Sequence, residues 1–141
     1  MLDSTVLIAH LDGSEAVSRA ATHLIDGLIR KGRNAAVVSM VSVMEVLVGP
    51  LRRARPEHLH VLDFLTRHPN LQAQPIDLVV AQEATGLRAL FGLATPDALV
   101  VATGVVAQVA HLVTNDERWK KRLQQLPARV KVVYLADHLP W

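Results

Sequence analysis

Four acidic residues, Asp3, Glu45, Asp97 and Asp116, stand at the edges of apolar segments in a chain that is 50% hydrophobic. Carboxylates about 4 Å apart repel by roughly 4 kcal/mol at an effective dielectric constant of about 20, so acids gathered in one place need a counter-charge. The hard cations Mg²⁺ and Mn²⁺ prefer oxygen ligands and keep several waters, which suits binding of a phosphodiester and activation of water. The acids therefore predict one shared metal site.

Each acid taken alone also has a purely structural interpretation. Asp97 and Asp116 fall in the first turns of predicted helices, where a carboxylate is stabilised by roughly 0.3–1 kcal/mol without any function. Glu45 fits a solvated helix position, although its apolar neighbours disfavour full exposure, and Asp3 fits an ordinary acid near the N-terminus. Spacing alone leaves the two interpretations evenly matched, and only the joint pattern favours a site.

Apolar periodicity, caps and helix stops predict alternating strands and helices. Residues 4–11 are apolar enough for either element, Ser14 is the predicted N-cap of the next helix, and Gly32 is its stop. Thr95 has the chemistry of an N-cap, and Pro96 has that of the first turn of the helix that follows it. The predicted strands cover 35–39, 71–76, 110–114 and 130–135, and the predicted helices cover 15–31, 40–53, 56–67, 78–90, the segment after the Thr95 cap and 117–126.

This alternation predicts an α/β fold with a mainly parallel sheet and helices on both faces. The 141 residues suffice for one such domain and are too few for two of ordinary size. In parallel sheets, ligands bind beyond the carboxyl ends of the strands. Asp3, Asp97 and Asp116 map to that edge, and Glu45, one turn into the helix after the second strand, is within reach of it.

Other chemistries find no support in the sequence. The chain has no cysteine, which excludes disulfides and thiolate sites and makes a cytoplasmic location the default expectation. It has no G-x-S-x-G elbow or P-loop, and His58 and His60 diverge on a predicted helix, which disfavours a zinc site. The most apolar stretch, residues 98–113, is shorter than the roughly 20 residues that span a bilayer, so neither a membrane segment nor a signal peptide is expected.

Two basic clusters flank the acids in the sequence. Lys and Arg exceed Asp and Glu by 15 to 13, which permits a polyanionic partner without requiring one. Bound phosphates would position RNA there without specifying its sequence, although solvated helix faces explain each residue equally well. Trp119 is a candidate for stacking on a base, but packing against the sheet is the favoured interpretation. The clusters are Arg52, Arg53 and Arg55, and Lys120, Lys121 and Arg122.

Four segments that contain the acids resemble the signature segments of the PIN-domain nucleases. They are residues 2–8 (LDSTVLI), 42–49 (SVMEVLVG), 96–103 (PDALVVAT) and 112–116 (LVTND). Their order and spacing, and the length of the chain, are most similar to the VapC toxins of bacterial toxin–antitoxin pairs. The likeness covers nearly the whole chain. It implies a single PIN domain over residues 1–141, folded as a three-layer α/β/α sandwich.

The resemblance implies a metal-dependent endoribonuclease. Asp3 and Asp97 would be the firmest ligands of Mg²⁺ or Mn²⁺, and Glu45 and Asp116 would complete the site directly or through water. Two alternatives stay open. One is a PIN nuclease of RNA processing without an antitoxin, and the other is a non-catalytic RNA-binding module with the same fold.

A homodimer and a cognate antitoxin are further implications of the resemblance. The apolar helical surface around Val43, Leu47, Val48 and Leu51 would suit an antitoxin helix, although core packing explains it equally well. A small antitoxin-like reading frame beside the gene would separate a toxin from a PIN nuclease of RNA processing.

The hydroxyls of Ser4 or Thr5 and of Thr114 are predicted donors to the carboxylates, with local turn or cap bonds as the equal alternative. One departure from the family pattern concerns the first strand, which usually has several apolar residues ahead of the acid, whereas this chain offers Met1 and Leu2. A short first strand or a start upstream is therefore expected. A chain extended upstream is expected to melt at a higher temperature.

Overall fold

The computed structural model describes residues 1–53, 55–125 and 130–138, with the backbone alone at Arg55 and Gln125. The helices are α1 Ser4–Asp12, α2 Ser18–Thr22, which continues as a π-helical segment His23–Ile29, α3 Met40–Arg53, α4 Arg55–Arg67, α5 Leu78–Phe91, α6 Thr95–Val106 and α7 Glu117–Arg122. Short 3-10 turns follow at Leu123–Gln125 and Leu135–His138. The strands are β1 Ala36–Ser39, β2 Leu71–Gln74, β3 His111–Thr114 and β4 Lys131–Tyr134. Within these ranges, every helix is too short or too polar to cross a bilayer.

Two pairs of parallel strands form the sheet. β1 pairs with β2, with Ala36 opposite Leu71, and β3 pairs with β4, with His111 opposite Lys131. Parallel neighbours need a crossover connection, and helices supply it here, α3 and α4 between β1 and β2 and α7 between β3 and β4. The mainly parallel sheet predicted from the alternation of elements is confirmed.

The N-terminal residues join the two strand pairs. The Leu2 N–H donates to the Val37 carbonyl at 2.9 Å, on the β1 side. On the β3 side, the Val113 N–H donates to the Met1 carbonyl at 2.9 Å, and the Asp3 N–H donates to the Val113 carbonyl at 3.0 Å. The strand expected to be short is thus reduced to a single parallel bridge between Leu2 and Val113, which lies in the middle of the sheet.

Helices cover both faces of this sheet. Alternate side chains of a strand point to opposite faces, and successive residues of β1 and β3 enter two different apolar clusters. Val38 and Val113 pack with the cluster that includes α1, the α2 segment and α4. Val37 and Leu112 pack with the cluster of α5, α6 and α7. The three-layer α/β/α sandwich is therefore confirmed.

Two predictions near the N-terminus were wrong, and one assignment that the sequence left open is now decided. Residues 4–11 form the helix α1, which ends at Gly13 with φ of 70°, a left-handed conformation that glycine adopts at little cost. The following helix begins at Ser18 instead of residue 15, because the Ser18 hydroxyl accepts the Glu15 N–H in a turn before it, while the Ser14 hydroxyl bonds to the Asp12 side chain and caps no helix. Gly32, with φ of 72°, follows that helix as predicted.

The start and end of two later helices also differ from the predictions. Thr95 lies inside α6, and Ala94 takes the N-cap position without a side-chain cap bond. Pro96 lies in the first turn of α6, where its fixed φ suits the helix. α7 ends at Arg122 and passes into a 3-10 turn, and Leu126, the predicted helix end, lies outside the described residues.

Candidate functional site

Asp3 is held at the carboxyl end of the central bridge. Its N–H is bonded to β3, and its carbonyl accepts the Val6 N–H at 3.1 Å as α1 begins. The side chain makes no cap bond to α1, although the residue occupies the N-cap position. Only 4% of Asp3 is exposed, so its carboxylate is a buried group.

Two threonine hydroxyls bind one oxygen of this carboxylate. Thr5 Oγ1 and Thr114 Oγ1 donate to Asp3 Oδ2 at 2.8 and 2.9 Å. Each hydroxyl also accepts a backbone N–H, from Asn115 at 2.8 Å and from Asp116 at 3.0 Å respectively. Because each hydroxyl has its own proton left to give, these amides orient both hydroxyls as donors to Asp3.

The other oxygen of Asp3 is far less engaged. Ser4 Oγ lies 3.5 Å from Oδ1, which is at the limit of a hydrogen bond. Among the described residues, no lysine, arginine or histidine forms an ion pair with Asp3. Of the three predicted hydroxyl donors, Thr5 and Thr114 are thus well placed and Ser4 is marginal. Oδ1 is the oxygen through which Asp3 is able to bind a cation.

Asp97 lies in the first turn of α6, half-buried and close to two other acids. Burial raises the pKa of its carboxyl above the usual value, and the charges of Asp116 and Asp3 add to the rise. Trp119, as a hydrogen-bond donor, and the positive charge of Arg118 oppose it in part. Asp3, Asp97 and Asp116 therefore share one electrostatic environment, in which the charge on Asp97 is not fully compensated.

Asp116 is the N-cap of α7 and is ion-paired. Its Oδ1 accepts the Arg118 N–H at 2.9 Å, which is the cap bond. The Arg118 guanidinium also binds the carboxylate with both nitrogens that face it, Nη2 at 2.7 Å from Oδ2 and Nε at 3.0 Å from Oδ1. This hydrogen-bonded arginine lowers the pKa of Asp116.

Glu45 is separated from the three aspartates in its contacts. It is exposed on α3 and lines the cleft bounded by α1, α3 and α4. In the part of the chain that the structure describes, no hydrogen bond or ion pair joins it to Asp3, Asp97 or Asp116. The apolar residues around Glu45 in the sequence did not bury it, because Met44 and Val48 are themselves exposed and Val48 lines the same cleft.

The donor chemistry at this edge fits a hard divalent cation. Carboxylates and hydroxyl oxygens are the groups such ions prefer, and among the described residues neither Asp3 nor Asp97 forms an ion pair. As the side chains stand, no three His, Asp or Glu residues of the described ranges are close enough together to hold a metal ion.

Two residues of the site were missed or undervalued in the sequence. Arg118 stands next to the predicted basic cluster and two residues after an acid at a helix start, which was the signal for an ion pair. Trp119, 5% exposed, packs in the core as expected and also acts on Asp97. In the basic clusters, Arg53 pairs with Glu57 and Lys120 pairs with Asp137, so these two cations are already neutralised. The side chain of Arg55 lies outside the described parts.

Comparison with known proteins identifies the family. A sequence profile described as the PIN domain matches residues 1–123. The chain belongs to the PIN-domain family. The matched residues include all four acids and both threonines of the site. The comparison with curated proteins finds no match in sequence.

Several solved structures share the PIN fold of this chain. A chain of a toxin–antitoxin complex from Klebsiella pneumoniae has a TM-score of 0.72 at 22% identity, with 95% of each chain covered. VapBC2 from Rickettsia felis, bound to a DNA fragment from its promoter, has a TM-score of 0.69 at 16% identity, over 95% of this chain and 96% of that one. VapBC-5 from Mycobacterium tuberculosis has a TM-score of 0.63 at 21% identity, over 94% and 95%. At these identities the likeness concerns the fold.

Proposed function

We propose that this PIN domain is a divalent-metal-dependent endoribonuclease and acts as the toxin of a toxin–antitoxin pair. The observation that carries the proposal is the group of three aspartates at one edge of the sheet. Asp3 is buried with one oxygen left without a strong partner, and the charges of Asp3 and Asp116 act on Asp97. Acids whose charges act on one another favour binding of a cation.

Asp3, Asp97 and Asp116 are the proposed ligands of Mg²⁺ or Mn²⁺, and Glu45 approaches from α3 directly or through a water. Such an ion, when bound, supplies Lewis acidity and lowers the pKa of a coordinated water. The residues of the chain hold the carboxylates in place. Thr5 and Thr114 fix Asp3 Oδ2 by donating to it, so that rotation of the carboxylate is restrained and Oδ1 faces the site.

The exposed cations of α7 are the proposed contacts for the RNA backbone. Lys121 and Arg122 are exposed on the helix that Asp116 caps. Cations placed beside a carboxylate site are able to neutralise the phosphates that flank a cleaved bond, which contributes affinity and little sequence preference. Arg53 and Lys120 contribute less in this view, because each is already ion-paired.

The test is cleavage of a single-stranded RNA by purified protein that is free of any partner. We expect cleavage that requires Mn²⁺ or Mg²⁺ and falls at least about 100-fold in Asp97→Asn, since a ligand that supports several kcal/mol of transition-state stabilisation is lost. Asp63→Asn is the matched control, because Asp63 is an exposed acid that pairs with Arg67 on α4. Sequencing of RNA ends after induction, compared with Asp97→Asn, would identify the target.

The outcome of that test also separates the alternatives. Cleavage that is absent, or that persists in EDTA, contradicts the nuclease proposal and favours a non-catalytic RNA-binding module. Metal-dependent cleavage by a chain that has no antitoxin-like reading frame beside its gene favours a nuclease of RNA processing.

The proposed antitoxin site is the cleft between α1, α3 and α4. Its volume is about 550 Å³, and its lining combines the apolar residues Ile8, Leu11 and Val48 with the charged residues Glu45 and Arg53. Met44 and Leu51, exposed by 60% and 59%, extend the apolar surface on α3. This lining suits an amphipathic segment, which would cover Glu45 when seated. The similar folds in toxin–antitoxin complexes support a protein partner.

The proposed homodimer contact is the outer face of α5. Leu78, Val79 and Leu90 are exposed by 73%, 56% and 79%, and Val79 and Leu90 lie on one side of the helix. Val48→Glu should abolish copurification with the product of the adjacent reading frame and leave the mass in solution unchanged. Leu90→Glu should halve the mass measured by light scattering and leave the copurification unchanged. A monomeric wild-type chain would contradict the dimer.

A further inference from the structure

The Asp116 carboxylate already has a cation, and that cation belongs to the same helix. Arg118 Nη2 lies 2.7 Å from Asp116 Oδ2, and Arg118 Nε lies 3.0 Å from Oδ1 and 3.1 Å from Oδ2. Oδ1 accepts the Arg118 N–H as well. Both oxygens of Asp116 are therefore engaged, in contrast to Asp3, where Oδ1 keeps a single contact at 3.5 Å.

The position of Arg118 is governed by this one partner. Its side chain is 82% exposed, and among the described residues Asp116 is the single acid with which it pairs. The planar guanidinium matches the two carboxylate oxygens, so the pair is geometrically specific. Because an exposed pair is also weakly bound, Arg118 is able to leave when a stronger cation competes for Asp116.

We propose that Arg118 is a built-in competitor of the divalent metal, which holds Asp116 in the metal-free protein and swings out when Asp116 becomes a ligand. This inference rests on the proposed function, because it requires that Asp116 bind metal. The exchange leaves a free guanidinium at the edge of the metal site, where a phosphate of the RNA would next be bound.

The backbone cap makes Arg118 suitable for mutagenesis. The N-cap bond of Asp116 uses the amide of Arg118, which remains in every substitution except proline. Arg118→Gln therefore removes the competing charge and leaves the start of α7 intact. Arg122→Gln is the matched control, since Arg122 lies on the same helix and acts on Asp116 by its charge, without a direct bond.

The first experiment measures Mn²⁺ affinity by electron paramagnetic resonance of the free ion, with calorimetry as a second readout. Arg118→Gln should bind Mn²⁺ more tightly than the wild type by roughly two- to fivefold, the range that corresponds to an exposed ion pair. Arg118→Lys, which keeps the charge and loses the two-point contact, should fall between them. Arg122→Gln should change the affinity less than Arg118→Gln does.

The second experiment observes the exchange in the wild-type chain and does not depend on the folding of a variant. The Arg118 Nε–H resonance should move on addition of Mg²⁺ towards its position in Asp116→Asn. An unmoved resonance, or equal gains in affinity for Arg118→Gln and Arg122→Gln, would overturn the inference while leaving the metal site in place. A wild-type chain that binds no Mn²⁺ refutes the metal site of the proposed function, and the inference with it.

Discussion

The starts of α6 and α7 carry the same kind of residue in opposite surroundings. Asp97 in the first turn of α6 has a raised pKa, because burial and two nearby acids disfavour its charge. Asp116 at the start of α7 has a lowered pKa, because Arg118 binds it. α7 supplies its own arginine two residues after the acid, whereas the first turn of α6, Thr95 to Ala98, contains no basic residue.

This difference separates a structural acid from one whose charge lacks compensation. Asp116 caps its helix through a bond to a backbone amide, so its presence has a structural explanation. Asp97 makes no cap bond, and α6 starts after Ala94 without a side-chain cap. A carboxyl group whose charge its surroundings disfavour, and which makes no cap bond, is a candidate for a functional role. Position at a helix start alone does not distinguish the two.

The largest effect on stability is expected for Thr114, which connects the start of α7 to Asp3. The Thr114 hydroxyl links Asp3 to the Asp116 amide, and no hydrogen bond between described residues links Asp3 to α6. Thr114→Val should lower the free energy of unfolding by about 1–3 kcal/mol, since a buried carboxylate and an amide each lose a partner. Urea unfolding measures the change.

Two variants control this prediction. Thr114→Ser should recover most of the stability, because the hydroxyl is retained. Thr85→Val removes an exposed hydroxyl that bonds within α5, and it should have little effect. A loss confined to Thr114→Ser, with the stability of Thr114→Val unchanged, would show that packing of the methyl group, and not the hydroxyl, stabilises the site.

Smaller changes in melting temperature, with opposite signs, are expected for Asp97→Asn and Asp116→Asn. Asp97 has a raised pKa in the folded state, so its ionisation costs stability as the pH rises through that pKa, and Asp97→Asn should raise the melting temperature at neutral pH. Asp116 has a lowered pKa, so it adds stability above its unfolded pKa and loses it as the pH falls through the folded one. Asp116→Asn should therefore lower the melting temperature at neutral pH.

Each change should amount to no more than about 1 kcal/mol, the range of exposed ion pairs and charges at helix ends. Both differences should vanish in acid, where the carboxyls are protonated in the folded and unfolded states. Melting curves between neutral and acid pH test this. Shifts of the same sign in the two variants would contradict the contrast between the helix starts.

The smallest effect is expected for Trp119, which is one of the groups that act on the pKa of Asp97. Trp119 donates towards Asp97 and opposes the rise of its pKa. Trp119→Phe should keep most of the packing and raise the pKa of Asp97 further, while Asp116 is unaffected. Carboxyl carbon chemical shifts followed by nuclear magnetic resonance across a pH titration measure both groups. An unchanged or lowered pKa of Asp97 would contradict the role assigned to Trp119.

Local sequence was sufficient for most of the fold. α3 was predicted with the bounds that the structure has, and β1, β2 and β3 were predicted within two residues, because apolar periodicity and cap chemistry act over one or two turns. The errors at Ser14 and Thr95 concern single caps, for which several nearby residues compete. Parallel pairing followed from the alternation of elements alone.

The residue types of the site could be predicted from the sequence, but the long-range contacts and the burial of its side chains were decided by the tertiary structure. Four acids in order predicted carboxylate chemistry, and the residues that hold Asp3 were among the predicted donors. The Thr114 to Asp3 bond joins residues 111 positions apart, so no local pattern specifies it. The exposure of Glu45 and the burial of Asp3 depend on which side chains are neighbours after folding, because burial is a property of that packing.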